Sequence, residues 1–238
     1  MNFMQRVPAA DNLIEIVDLS KSYRRGNTEV PIFDKLSLSI ERGRFVALMG
    51  PSGSGKTTLL NMLAGIDRPN SGMLAVDGER IDSYSESGLT RWRAQTLGFI
   101  FQFYNLMPML TAAQNVELPL LLHKMSARER RRRVDTALDV VGLADRARHR
   151  PRELSGGQQQ RVAIARALVA DPKLILADEP TGDLDRPSAD AVLEILRLLA
   201  DELGKTIVMV THDPVAARAA DTVLHLEKGR FVDEAIAA

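Results

Sequence analysis

A chain of 238 residues, 45% apolar and 26% charged, is long enough for one sizeable core with room for a subdomain. Its 31 basic and 31 acidic side chains cancel, which argues against a nucleic-acid footprint, and the absence of cysteine excludes a disulfide framework and thiolate metal sites. No apolar run approaches the roughly 20 residues needed to span a bilayer, and residues 1–10 lack the charged start and apolar core of a secretory signal.

Residues 13–19 alternate apolar with polar and predict a first strand. Residues 22–27 read as a turn that carries Tyr23. That ring is a flat platform for a purine or ordinary half-buried packing, and spacing leaves both readings open. Residues 36–40 alternate again, Gly43 punctuates, and the apolar run 45–49 predicts a buried strand, so the opening reads as a β-rich layer around that strand. Next comes Gly50-Pro51-Ser52-Gly53-Ser54-Gly55-Lys56-Thr57-Thr58, followed by an apolar run at 59–64 that predicts a helix. Strand, glycine-rich loop, Lys-Thr and helix form the context of a phosphate-binding loop. The glycines let backbone N–H groups turn inward as an anion cradle, and the helix adds the positive end of its dipole. Lys56 would reach the outer phosphates, and the Thr57 hydroxyl would hold Mg²⁺. The loop implies a nucleoside triphosphate.

Residues 69–72 predict a turn, 72–81 a hairpin about Asp77-Gly78, and 83–93 a polar helix. The strand at 97–101 ends in Gln102, whose amide suits Mg²⁺ or water orientation but equally suits a solvated edge. Residues 105–152 change character and predict helices at 112–122, 127–141 and about 145–150, broken at Pro108, Ser126 and Gly142. This is a helical insertion into an α/β core. Arg128, Arg130, Arg131, Arg132 and Arg133 form a basic run within one helix. Without interleaved aromatics, and with Glu129 and Asp135 nearby, a solvated face is favoured over contact with acidic headgroups or RNA. Ser155-Gly156-Gly157-Gln158 opens the next helix, with Ser155 as N-cap, and makes a second anion-binding element on the same chain. The strand at 173–177 delivers Asp178 and Glu179. Asp178 would support Mg²⁺ through bound water, and Glu179 would act on the attacking water as general base. Residues 181–185 form a turn before a helix at 188–199. A buried strand at 206–211 delivers His212 as a γ-phosphate contact. A hairpin about Lys228-Gly229 closes the sheet.

The ordered set resembles the nucleotide-binding subunit of ATP-binding cassette (ABC) transporters from residue 13 to about 233. It consists of the loop Gly50–Thr57, Gln102, Leu154-Ser155-Gly156-Gly157-Gln158, Asp178-Glu179-Pro180, Asp185 and His212. The resemblance implies an α/β, RecA-like P-loop NTPase core with an N-terminal antiparallel β layer and an inserted α-helical subdomain. The whole chain would be one domain, with the core at about 11–100 and 160–238 and the helical part at about 101–159. It implies ATP and Mg²⁺ as ligands and ATP hydrolysis to ADP and phosphate. It implies a head-to-tail homodimer in which Ser155, Gly156, Gly157 and Gln158 of one copy reach the ATP held by the other. Tyr23 would stack the adenine, Gln102 would contact Mg²⁺ and sense the membrane partner, and Asp185 would couple the two sites.

Residues 28–31, 101–106, 115–120 and 181–185 resemble the branch of lipoprotein-releasing, macrolide-efflux and cell-division ATPases. The expected partner is a membrane permease on a separate polypeptide, and the expected place is the cytoplasmic face of the inner membrane. The alternative is an ATP-gated signalling module that moves no substrate. Soluble DNA-repair relatives carry a long coiled coil here and translation relatives carry two cassettes, so neither fits, and no nucleic-acid partner is expected.

Overall fold

The computed structural model describes residues 11–26 and 28–236. Residues 1–10 and Asn27, which the sequence reading touched, lie outside them. Two long strands, β1 (Asn12–Arg25) and β2 (Thr28–Glu41), pair as an antiparallel hairpin. With β4 (Ser71–Val76) and β5 (Glu79–Arg80) they form a four-stranded sheet in the order β2-β1-β4-β5. Asp77 and Gly78, at φ 54° and 77°, make the expected two-residue turn between β4 and β5.

The second sheet holds β3 (Phe45–Met49), β6 (Leu97–Ile100), β7 (Leu174–Asp178), β8 (Thr206–Val210), β9 (Thr222–Glu227) and β10 (Arg230–Ile236). Its order is β10-β9-β3-β8-β7-β6, parallel throughout except for the terminal β9–β10 hairpin. The central strands are apolar at nearly every position because both faces are covered. Phe45, Ala47, Ile175, Ala177, Ile207 and Met209 face one core. Val46, Leu48, Leu174, Leu176, Val208 and Val210 face the other.

The first core holds α5 (Gly156–Leu168), α6 (Arg186–Asp201) and the short α7 (Pro214–Ala217), with α3 (Ala112–Glu117) and α4 (Ala127–Val140) beyond them. The second holds α1 (Lys56–Leu63), α2 (Glu86–Thr96) and the β layer.

Several expectations need correction. Residues 22–25 continue β1, with Tyr23 opposite Val30, so Tyr23 lies on a strand and the chain turns at Gly26. Both partners there are exposed, so no alternation marked the strand. The helix read at 83–93 starts at Glu86, because the Ser85 hydroxyl accepts from Gly88 N, and it runs on to Thr96. The helix read at 112–122 changes to a 3₁₀ turn at Leu118–Leu122, where Pro119 removes a donor. No α-helix forms at 145–150. That stretch holds a 3₁₀ turn at Ala144–Arg146, and its carbonyls at Ala147 and His149 accept instead from Ala113 N and Ala112 N at the start of α3. β6 stops at Ile100, two residues before Gln102.

Candidate functional site

The loop between β3 and α1 sits where the two sheets meet. Gly50 has φ 151°, and a Cβ there would lie 2.1 Å from Leu226 O on β9. Gly55 has φ 108°, and its Cβ would lie 2.8 Å from the Phe33 ring on β2. Any larger residue would collide with backbone or ring and would also be strained, so the cradle requires glycine at both positions. Lys56 Nζ donates to Gly50 O at 2.7 Å and Pro51 O at 2.9 Å, which places the ammonium over the rim of the loop. The first amides of α1 have no intrahelical acceptor and supply the positive end of the helix dipole.

A cleft of about 450 Å³ opens over this loop, lined by Gly53, Lys56, Thr57, Glu179 and His212 among others. Asp178 ends β7 beside it, half-buried. Burial, and then the neighbouring Glu179 charge, push the Asp178 carboxyl above its ordinary range, while Lys56 pulls it back. Glu179 takes φ 46° and its N–H donates to Val210 O at 2.9 Å, so the chain turns sharply off the strand end. That turn aims the carboxylate at His212, with Nδ1 and Oε2 3.1 Å apart. Thr211 N donates to Leu48 O, which ties the tip of β8 to β3 and fixes His212 beside the loop. Three strand ends therefore deliver the loop, the acidic pair and the imidazole to one edge of the sheet, where α/β sheets carry their ligand sites.

Gln102 lies next to this group but outside the cleft lining. A Cβ on Gly182 would be 3.2 Å from Gln102 Nε2 and 3.4 Å from Glu179 Oε2, so the amide and the carboxylate approach one another over Gly182. Tyr23 stands at the far end of β1, 42% exposed. Lys21 Nζ lies 4.7 Å from its ring centroid, and its hydroxyl donates to Asp67, which also pairs with Lys21. Burial and Asp67 push the phenol above its ordinary range, with Thr58 opposing. The Lys21–Asp67 support was invisible in sequence because its members are 46 residues apart.

Ser155, Gly156, Gly157 and Gln158 do not line the cleft. They open α5, which packs on the opposite face of the sheet from α1. Ser155 and Gln158 form a reciprocal capping box: Gln158 N donates to Ser155 Oγ at 3.3 Å and Ser155 N donates to Gln158 Oε1 at 2.9 Å. Gly157 is buried against Ser188, and Gly156 faces the Tyr104 hydroxyl. Asp185 caps α6 by accepting from Ser188 N at 2.9 Å; the Ser188 side chain first, and then this backbone contact, hold its carboxyl below the ordinary range. In the basic run, Arg132 and Arg133 pair with Glu129, and Arg130 pairs with Glu117.

Ile32 on β2 also lines the cleft, and Gln160 on α5 donates to Phe101 O and Pro180 O, the neighbours of Gln102 and Glu179. Sequence reasoning passed over both. Ile32 sits in a stretch without alternation. Gln160 is the third of three glutamines, and helical phase would have shown that it shares a face with Gly157 and Ile164.

The family profile described as ABC transporter matches residues 33–182. YvrO of Bacillus subtilis, named as an uncharacterised ABC transporter ATP-binding protein, is 48% identical over 220 residues, covering 92% of this chain and 96% of its own. The macrolide export ATP-binding/permease protein MacB of Hyphomonas neptunium is 45% identical over 222 residues, 93% of this chain but 34% of its own length. Among solved structures, the dimeric post-hydrolysis state of the ATP-binding cassette MJ0796, bound to ADP and Pi, superposes with a TM-score of 0.86. It is 41% identical and is matched over 94% of this chain and 99% of that one. MJ0796 comes from Methanocaldococcus jannaschii. With a phosphate-binding loop, an acidic pair and a histidine on one sheet edge, the chain belongs to the ABC transporter family as an ATP-binding, ATP-hydrolysing subunit.

Proposed function

We propose that two copies of the chain close head to tail on two ATP molecules and that this closure drives a separate membrane permease. The observation that carries this reading is the placement of the two anion-binding elements. The loop Gly50–Thr58 and the Ser155 element belong to helices on opposite faces of one sheet, and the Ser155 element contributes nothing to its own chain's cleft. The dimeric state named for the MJ0796 cassette supports the pairing, and the ATP-binding/permease name of MacB supports the partner. Among the described residues no helix is long and apolar enough to cross a membrane, so attachment at the cytoplasmic face would be through that permease.

Within each site, Gly50, Pro51, Ser52, Gly53, Ser54, Gly55, Lys56, Thr57 and Thr58 hold the phosphates, and Tyr23 offers the adenine the ring face turned away from Lys21. Glu179 takes the proton of the attacking water as the bond to the γ-phosphorus forms and ADP leaves. His212, whose Nδ1 lies 3.1 Å from Glu179 Oε2, contacts the γ-phosphate beside that base. Asp185 and Gln158 meet the second copy.

The donor set suits Mg²⁺. Among the described residues there is no cluster of three or more carboxylates, imidazoles or thiols. Mg²⁺ keeps several waters and takes one or two protein oxygens beside substrate phosphates; Thr57 and Gln102 would supply such oxygens, and the half-buried Asp178 carboxylate would act through a bound water. When bound, the ion would neutralise charge developing on the phosphates.

The test is Glu179→Gln. It should lower kcat by about 10²–10⁴-fold and leave a dimer that persists in ATP on size-exclusion chromatography with light scattering. Wild-type turnover in that variant would falsify the base assignment. A variant that stays monomeric in ATP would overturn the shared site.

A further inference from the structure

We propose that Gln160 is a positioning residue that sets Gln102 and Glu179 relative to one another through a single buried amide. Gln160 lies on the inward face of α5 with 0% exposure. Its Nε2 donates to Phe101 O at 3.3 Å and to Pro180 O at 2.7 Å. Phe101 directly precedes Gln102, and Pro180 directly follows Glu179. Both hydrogens of one NH₂ group are thereby used, and because both acceptors are carbonyls the orientation of the amide is fixed.

Packing alone does not account for this side chain. Its Oε1 is buried and has no protein partner. A buried acceptor without a donor is costly, and a methionine of similar length would fill the space without one. The two backbone groups it grips are those next to the side chains that approach over Gly182. Glu179 is held at φ 46°, a conformation that neighbouring structure must enforce, and Pro180 has no N–H with which to anchor the turn from its other side. The gripped Pro180 carbonyl takes that role. Gln160 also stands five residues from Ser155 on one rigid helix, a rise of about 7.5 Å. A displacement of α5 at Ser155 therefore moves Phe101 and Pro180 together.

The proposal rests on Glu179 acting as the base, and the experiment separates the two. ATPase kinetics would be measured on purified wild type, Glu179→Gln, Gln160→Met and Gln160→Glu, at a temperature where circular dichroism shows each variant folded. Gln160→Met should lower kcat about 10- to 100-fold, the scale of a small misplacement, with KM for ATP within about twofold. Gln160→Glu keeps one O–H donor as the neutral acid and none as the carboxylate. Its kcat relative to wild type should fall as pH rises. Wild-type kcat in Gln160→Met beside an inactive Glu179→Gln overturns the Gln160 role alone. Turnover in Glu179→Gln overturns the base and the role with it. If Gln160→Met does not fold, the profile of Gln160→Glu decides, and one parallel to wild type overturns the proposal.

Discussion

Gly50→Ala and Gly53→Ala separate two reasons for glycine in the phosphate loop. At Gly50 the new Cβ would lie 2.1 Å from Leu226 O, whereas real Cβ atoms keep at least 3.0 Å from any such neighbour, so 0.9 Å of overlap must be relieved by moving β9 or the loop. A non-glycine residue at φ 151° adds about 1–3 kcal/mol of backbone strain, and forced overpacking adds about 1–3 kcal/mol. At Gly53 the Cβ would meet nothing within 4 Å, which leaves the conformational cost of φ 79°, about 1–2 kcal/mol. For a chain of this size each kcal/mol shifts Tm by roughly 2–4 °C. At about 4 kcal/mol, Gly50→Ala should melt roughly 8–16 °C below wild type, and Gly53→Ala, at about 1.5 kcal/mol, roughly 3–6 °C below it. Calorimetry without nucleotide reads this difference. Titration with a fluorescent ATP analogue should show that Gly53→Ala, although nearly intact, binds at least about tenfold more weakly because its Cβ enters the cradle. Equal Tm losses in the two variants, or a Gly50→Ala loss under about 3 °C, would refute the close approach to β9.

Asp178→Asn should stabilise the fold while it abolishes turnover. The Asp178 carboxyl is raised in the folded chain, first by burial and then by Glu179, so its cost to stability is absent below the ordinary carboxylate range and grows as pH rises through it. The Tm advantage of the variant should therefore be smaller at pH 4 than at pH 7.5, and the same advantage at both pH values would sink the idea. Ser155→Ala removes one half of the α5 capping box, worth about 1 kcal/mol, and should lower Tm by a few degrees. It should also remove ATP-driven dimerisation yet leave nucleotide binding by the monomer, and intact dimerisation by light scattering would contradict the placement of Ser155 on a second copy's site. Trp92 is buried with its indole N–H unpartnered. Trp92→Phe should cost about 1 kcal/mol or less, because the lost area is offset by losing an unsatisfied donor, whereas Trp92→Ala should cost about 3–5 kcal/mol; equal losses in denaturant melts would count against that offset.

The parts of the site that were legible in sequence are those whose chemistry is local. The loop at 50–58 lies between an apolar strand and an apolar helix, and its glycines and Lys-Thr are contiguous. Asp178 and Glu179 follow a strand that is apolar on both faces. Ser155 and Gln158 make a capping box readable from three-residue spacing. What escaped depended on distant partners. Tyr23 was placed in a turn because the exposed tip of the β1–β2 hairpin shows no alternation, and only cross-strand pairing makes it a strand. Residues 145–150 have helical composition, but their carbonyls are committed to the start of α3. The approach of Gln102 to Glu179 joins segments 77 positions apart by number and runs through the β6–β7 pairing. Nothing local encodes it.

The central sheet also acts as a partition. Successive residues of β3, β7 and β8 point into different cores, so α1 with the phosphate loop answers to one set of neighbours and α5 with Ser155 answers to another. Substitutions on the two sides share few contacts, and their effects on stability should sum. The two compartments are joined where α5 reaches through to Phe101 and Pro180 by way of Gln160, so a change on the α5 side touches the nucleotide site through that amide.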